Sequence, residues 1–562
     1  MAYLNGKTLF FITSPRTPLK MVPEIKLLVE EFSGEVWNPK TQEEFMKALV
    51  DTPFFEGKGS YKDMAFSARD RITRGPKALG FVDLKPKIEL TSAGENFLNE
   101  ALQEEALLRQ LLKFQLPSPY HKTTEAAEGV FRVKPFLEII RLIYTLKSIT
   151  FDEVMIFGMQ LTDYNKFEDI VDRIYKFREE KKNTHKSYKT FMGETLANEL
   201  KEIFRDEISH GETKTRESND ASIANFIKTK ASNLRDYTDA CFRYLRATGI
   251  VTISQRGKSL SILPEKESEV EFFLKNISRE PVYVNSERLY KEYLFNASLP
   301  VLYTDNRENL ENEVSRLNII DETTLKGMNN FELKSTLREF VTQRRENLIN
   351  DQIERLKSYS EYLDIEKVYK EIKAKNYYDT PLMLEWNTWR AMTMIDGGVI
   401  KANLKFDDEG QPMSTAAGNM ADIVCDYENF ALAVEVTMQS GQKQYESEGE
   451  PVSRHLAKLK KECEKEAYCF FIAPKINEAC IAHFYTLHLT NIAYYGGTSI
   501  ILPLELSVFE QMIKQSNEAQ IKPTKEKIEE LCKYSMEVAQ KVQSEKEWYN
   551  AIKEKALNWL AA

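Results

Sequence analysis

The sequence predicts an α+β chain of several domains, and three observations predict it. Two N-terminal segments, 61–98 and 228–266, each read as a basic helix followed by a small hairpin. A middle stretch carries neither Pro nor Gly between Asn329 and Asp379 and reads as helix throughout. The C-terminal third then alternates helix, strands, helix and strand, with apolar strand runs such as Phe430–Thr437 and Tyr468–Ala473. At 562 residues the chain is long enough for three or four cores, which the patterning divides at 1–120, 121–275, 276–375 and 376–562.

In the first segment an amphipathic helix over Pro23–Phe32 follows a loop holding Arg16. Then comes a helix with Lys62, Arg69 and Arg71, and Arg74 and Lys77 lie just beyond it. Strand-like runs at Leu79–Val82 and Lys87–Leu90 flank Pro86, and Thr91-Ser92-Ala93-Gly94 opens another helix. The second segment follows helices over Phe136–Leu146, Phe151–Leu161 and Phe167–Glu180. Its long helix carries Lys228, Lys230, Arg235, Arg243 and Arg246, with Arg256 and Lys258 in the turn of the hairpin. Both segments resemble winged-helix modules, whose recognition helix enters the major groove while the wing touches phosphate. The resemblance makes these cations the expected DNA contacts, Arg suiting guanine edges and Lys phosphates. The alternative for each is an ordinary solvated basic face.

Residues 276–375 are rich in Glu, Lys and Arg with helical apolar spacing but no sustained heptad. They read as a helical linker domain and carry no assigned chemistry.

The stretch with most chemistry is 416–455. Asp422-Ile423-Val424-Cys425 and Phe430–Thr437 read as the arms of a hairpin turning at Asp426–Asn429. Pairing Cys425 with Phe430 sets Asp422 opposite Ala433, with Glu435 on the same face at a diagonal spacing of ~7–8 Å. That face otherwise offers Ala431 and Ala433, while Ile423, Cys425, Leu432, Val434 and Val436 face the other way. Two carboxylates above an apolar sheet suit a divalent cation, because hard cations take oxygen ligands. The alternative is two acids on a solvated strand face, and a one-residue change of register separates them. A helix over about Thr380–Met394 carrying Glu385 and a strand over Gly397–Phe406 precede the hairpin. Ser453 reads as the N-cap of a helix Arg454–Lys465.

Asp422, a turn and then Glu435-Val436-Thr437 resemble the PD-(D/E)xK nucleases, with Thr437 where that superfamily has Lys. Glu385-Trp386-Asn387-Thr388-Trp389, AAGN before Asp422, and EGEPVSRH ending at His455 resemble more closely the cleavage domain of the AlwI family. These are type IIS restriction endonucleases, natural nicking enzymes among them, in which the Lys is absent and a further Glu joins the site. The resemblance implies an αβββαβ nuclease core and Mg²⁺. It implies Asp422 and Glu435 as metal ligands with the Val436 carbonyl alongside, Glu385 completing or orienting the site, and Glu448 in the place of the Lys. His455 is a candidate for the scissile phosphate, with Lys443 and Gln444 as lesser ones. The Trp548 and Trp559 side chains are assigned to the core.

The net charge of −9 does not exclude DNA, since local clustering of Lys and Arg decides that, and 228–258 has Asp236 and Asp239 as its only acids. Six cysteines without paired spacing, with Cys241, Cys425 and Cys469 among core-like residues, fit a reduced compartment. No signal peptide or membrane-length apolar run is evident, so a cytoplasmic protein is expected. The expected function is Mg²⁺-dependent hydrolysis of double-stranded DNA outside a short asymmetric site. The expected state is a monomer whose cleavage domains dimerise transiently on DNA. Two alternatives stand beside it: a strand-specific nicking enzyme of the same family, and a DNA-binding regulator with an inactive nuclease domain.

Overall fold

Helical periodicity without breakers makes most of the chain α-helical in this computed structural model. It describes residues 2–4, 6–52, 54–55, 63–254, 257–395, 397–415, 420–519 and 525–560. Contacts divide the chain into two units, 1–343 and 344–562.

In the first unit, α1 (Met21–Phe32) buries Ile25, Leu28 and Phe32. Helix α2 (Met64–Ile72) starts at Asp63, whose carboxylate accepts the Phe66 amide at 2.7 Å. The antiparallel pair β1 (Val82–Asp83) and β2 (Glu89–Leu90) is shorter than the sequence implies. Leu79 and Phe81 instead donate their amides back to Gly75 and Pro76, which prolongs the turn after α2. Thr91 caps α3 (Ser92–Leu98) by accepting the Gly94 amide at 3.0 Å, and a Cβ at Gly94 would collide with the Phe81 carbonyl. The glycine therefore lets helix and hairpin touch.

The second helix-and-hairpin segment begins with α4 (Pro135–Leu146), β3 (Ile149–Thr150), α5 (Phe151–Ile156) and α6 (Phe167–Asn183). It continues with α7 (Ile223–Arg246), β4 (Val251–Ser254) and β5 (Ser259–Ile262), the three strands pairing antiparallel in the order β3-β5-β4. The breaker-free stretch forms α8 (Asn330–Lys357), within which the division between units falls.

In the second unit, α9 (Tyr362–Lys373) and α10 (Thr380–Ile395) precede a five-stranded sheet. Its strands are β6 (Val399–Ala402), β7 (Ile423–Asp426), β8 (Phe430–Val436), β9 (Glu466–Ala473) and β10 (Ile501–Glu505), in the order β10-β9-β8-β7-β6. Strand β7 pairs antiparallel with β6 and β8, whereas β8, β9 and β10 run parallel. The parallel half needs crossovers, supplied by α11 (Gln442–Cys463) and α12 (Glu478–Leu489). Every residue of β8 is buried, as a strand covered on both faces requires. Helices α13 (Leu506–Ala519), α14 (Lys525–Ala539) and α15 (Glu545–Leu557) complete the unit. Trp548 and Trp559 are buried, their indoles donating to the Ser535 and Met512 carbonyls at 3.0 and 3.2 Å. Cys241, Cys425 and Cys469 are buried thiols.

Two expectations need correction here. The strand expected over 397–406 leaves the sheet at Asn403, and Leu404–Phe406 pairs separately with Pro412–Thr415. The turn between them is local: the Asp407 carboxylate accepts the Glu409 and Gln411 amides, both at 2.9 Å, and Gly410 takes a φ of 72°. Ser453 is not an N-cap. Helix α11 begins at Gln442 and runs through Pro451, and the buried Ser453 hydroxyl donates to the Gly449 carbonyl at 3.0 Å. Val452, Leu456 and Leu459 keep a buried stripe at helical spacing, which outweighs the one backbone bond Pro451 cannot make.

Candidate active site and basic surface

The hairpin turn is tighter than the spacing suggested. Tyr427 donates its amide to the Phe430 carbonyl, and Ile423 pairs with Val434, Val424 with Ala433 and Cys425 with Leu432. Continuing that register sets Asp422 directly opposite Glu435, two residues from the expected pairing. A shift of two keeps every side chain on its expected face, so the acids still share one. They are clasped reciprocally: the Val436 amide donates to Asp422 Oδ2 at 2.8 Å, and the Asp422 amide supports the Glu435 carboxylate. The amide and carbonyl of one strand residue point to the same side, so the Val436 carbonyl is directed toward Asp422.

Because α11 is continuous, Glu448 and His455 lie two turns apart on one helical face. Both reach the end of β8. His455 Nδ1 is 2.8 Å from Glu435 Oε1, and the Thr437 hydroxyl donates to Glu448 Oε1 at 2.8 Å while accepting the Gln439 amide at 3.1 Å. Two rungs thus join strand to helix, Glu435 to His455 and Thr437 to Glu448. The role of Thr437 was not visible in the sequence, because nothing local relates it to a glutamate on a helix not yet placed.

Burial, then the charges of Glu435 and Glu448, raise the Asp422 carboxyl well above the usual carboxylate range, and the Val436 amide opposes them. Glu435 is raised likewise by burial and by Glu448. Burial and then Arg454 lower the His455 imidazole, although Asp422 and Glu448 pull the other way. Without a cation, the pair therefore favours holding protons.

Glu385 is half-buried on α10, a helix that packs against β6 and β8, with Leu384 and Trp386 buried on either side. Gln444 is removed from the phosphate-contacting candidates. It is fully buried, its amide donating to the Gln439 and Lys475 carbonyls and accepting the Asn477 amide. Lys443 is exposed. Among the described residues, no three His, Cys, Asp or Glu side chains converge on one point as a closed metal cage. The donors present are instead two facing carboxylates and a carbonyl. That set fits an ion which keeps several waters and takes one or two carboxylates from the protein.

The basic residues separate by exposure. Arg69, Lys228, Arg235 and Lys258 are exposed. Arg16 is half-exposed and paired with Asp236 at 2.9 Å, and Arg74 is half-exposed beside Asp70. Arg243 lies against Asp239 at 3.1 Å. Arg71 turns inward to the buried Glu24 of α1, with Phe55 beneath it. Arg246 is a correction: it is 1 % exposed at the C-terminal end of α7, a position where a cation complements the last helix carbonyls rather than meeting a ligand. Lys77 and Lys230 are half-buried and line one cavity. Lys62 and Arg256 lie outside the described residues. Among those residues, no helix is long and apolar enough to cross a membrane.

Comparison with known proteins places these observations. No curated protein matches the chain. Among solved structures, the small subunit (R.BspD6I2) of the heterodimeric restriction endonuclease R.BspD6I matches with 25 % identity and a TM-score of 0.28. The match covers 35 % of this chain and 95 % of that one. The BpuJ1 endonuclease binding domain, solved with pyrene- and phenanthrene-modified DNA, matches with 12 % identity and a TM-score of 0.33, covering 50 % of this chain and 91 % of that one. The model of the AlwI restriction endonuclease family matches residues 77–512, a span that holds the acids, α11 and most of the basic residues. The chain belongs to that family, a family of sequence-specific DNA-cleaving nucleases.

Proposed function

We propose that the protein is a type IIS endonuclease that hydrolyses double-stranded DNA at a short distance from an asymmetric site. Residues 1–120 and 121–275 would act as winged-helix-like recognition modules, 276–375 as a helical linker and 376–562 as a PD-(D/E)xK cleavage domain. The observation that carries this reading is Asp422 set opposite Glu435, with Glu448 and His455 delivered to them by one helix.

Asp422, Glu435 and the Val436 carbonyl would hold Mg²⁺. When bound, the ion supplies charge neutralisation at the scissile phosphate and a more acidic water. The chain's own residues do the rest. Asp422 and Glu435 fix the position of the reacting phosphate relative to the sheet. Glu448, oriented by Thr437, accepts a proton from the attacking water in place of the superfamily's Lys. His455 orients Glu435 through Nδ1 and keeps Nε2 for the phosphate. Glu385 on α10 supports the same face. Thr437 already holding Glu448 weighs against an inactive nuclease domain, since the Lys position is filled by a residue with work to do.

The test is incubation of supercoiled plasmid with Mg²⁺ or with EDTA. Parent protein should cut only in Mg²⁺. Asp422→Ala and Glu435→Ala should retain DNA on a filter but not cut it, and strong cutting by either would remove the pair from catalysis. The nicking alternative is favoured by Asp422 and Glu435 forming a single centre, which faces one strand at a time. Open circles converting to linear DNA with steeper-than-linear dependence on enzyme support monomers whose cleavage domains dimerise on DNA. Open circles that persist support a nicking enzyme.

A further inference from the structure

Lys77 and Lys230 come from different helix-and-hairpin segments, yet they line one cavity of about 510 Å³ in the first unit. Pockets for small ligands typically fall in this size range. Its walls are residues 6–13, the turn after α2, and α7 around Asn233 and Tyr237, with half-exposed Arg74 also lining it.

Neither lysine meets a carboxylate. The Lys77 ammonium lies 4.7 Å over the Tyr120 ring, and that of Lys230 lies 4.7 Å over Phe204 and 5.1 Å over Phe226. Among the described residues both lack an ion pair, and the Asn233 amide and the Tyr237 hydroxyl lack a hydrogen bond. The acid in the wall, Glu207, is engaged by Lys7 at 2.9 Å. Burial lowers both lysines below their ordinary range, with Lys85 adding to this at Lys77. Glu287 and Asp83 at Lys77, and Glu207 and Glu217 at Lys230, oppose it without cancelling it, so an anion in the cavity would relieve the cost that remains. The other side is aromatic: half-buried Phe10 meets Tyr237 edge-on with ring centroids 6.4 Å apart. Beside them, Asn233 offers both a donor and an acceptor, the combination that matches a base edge.

We propose that this cavity binds one nucleotide, its phosphate against Lys77 and Lys230 and its base beside Phe10, Tyr237 and Asn233. The nucleotide has two possible sources. It is either a unit of bound duplex rotated out of the stack, which rests on the DNA-recognition reading above, or a free mononucleotide, which does not.

Equilibrium dialysis of the full chain against each labelled deoxynucleoside monophosphate, and against inorganic phosphate, tests it. At least one nucleotide should saturate with a dissociation constant of about 1 mM or below, and phosphate should bind more weakly. K77M/K230M should weaken binding at least about tenfold, the loss of roughly 1.4 kcal/mol, and Asn233→Ala should change the order of preference among the four bases. Plasmid DNA then separates the sources: displacement of the nucleotide indicates an extruded unit, and simultaneous binding indicates a free ligand. Plasmid that fails to bind while nucleotides still do would sink the recognition reading and leave the cavity's role standing. The proposal is overturned if no nucleotide saturates. It is equally overturned if K77M/K230M with an unchanged unfolding transition binds like the parent or, should that variant not fold, if Asn233→Ala leaves all four affinities unchanged.

Discussion

His455 and Glu435 face each other from helix and strand, Nδ1 to Oε1 at 2.8 Å, with both side chains largely buried. One ring nitrogen is thereby committed to a carboxylate proposed to hold the metal. Groups that orient metal-binding side chains are usually worth about 10–100-fold in activity. His455→Ala is therefore expected to lower the cleavage rate by about that factor while filter retention of DNA is unchanged. An equal loss in retention would mean that the histidine serves binding instead.

The raised carboxyls of Asp422 and Glu435 make a prediction about pH. A carboxyl whose folded pKa exceeds its unfolded value contributes stability that is full below the unfolded pKa. That contribution is lost as pH rises through the folded one. In EDTA the parent should thus lose melting temperature between about pH 4 and its raised folded values. Asp422→Asn/Glu435→Gln should lose less, and should exceed the parent at pH 8. Mg²⁺ should raise the parent's melting temperature and leave that of the variant flat. Identical melting curves with and without Mg²⁺ would argue against a cation at the pair.

Thr437 should matter through its hydroxyl alone. Thr437→Ser is expected to keep activity within a few-fold, whereas Thr437→Ala should cost about 10–100-fold. Thr437→Lys, which writes the superfamily's residue into the position, should not rescue, because Glu448 stands where its amine would go. Cleavage rates at saturating Mg²⁺ decide this. A fully active lysine variant would show that Glu448 and Thr437 are not a working unit.

Exposure sorts the basic residues of α7 and its hairpin. Arg235→Ala should weaken duplex binding and reduce the slope of log affinity against log salt by about 0.9. Arg246→Met should leave that slope unchanged and lower the melting temperature instead. Salt titrations of binding to plasmid fragments measure both.

A stability prediction concerns Arg390. It is 2 % exposed, reaches Glu361 at 2.7 Å and Asp364 at 2.8 Å, and stacks on Trp386 with its guanidinium carbon 4.5 Å from the ring centre. Glu361 and Asp364 are partly exposed, so removing the guanidinium should cost less than the roughly 3–5 kcal/mol of breaking a fully buried pair, with lost packing on Trp386 added. Arg390→Ala should show this in urea unfolding, with Asp422 chemistry affected only through the folded fraction.

Periodicity carried the shared face of Asp422 and Glu435, since a strand's alternation of two survives a register error of two. It did not carry the register itself, which depends on whether Tyr427 or Cys425 closes the turn. Ser453 read as an N-cap because its residue type is visible locally, whereas the buried stripe of Val452, Leu456 and Leu459 that carries α11 through Pro451 gains its value only against the sheet. Arg246 looked like a surface cation because charge is written in the sequence and burial is not. The cavity was unreadable for a simpler reason: residues near 10, 77 and 233 share no local pattern.

The position of β8 in the sheet bears on when, during synthesis, the proposed site is completed. The hairpin carrying both acids is translated well before β9, the parallel neighbour that holds its other edge, and all of α11 intervenes. Parallel pairing cannot form until that crossover is complete. A growing chain therefore holds Asp422 and Glu435 on a hairpin anchored at one edge by β6, with the other edge of β8 open until residues past Ala473 have emerged. Ribosome-bound chains ending before Glu466 are therefore expected to bind DNA without cutting it, even with the acids in place.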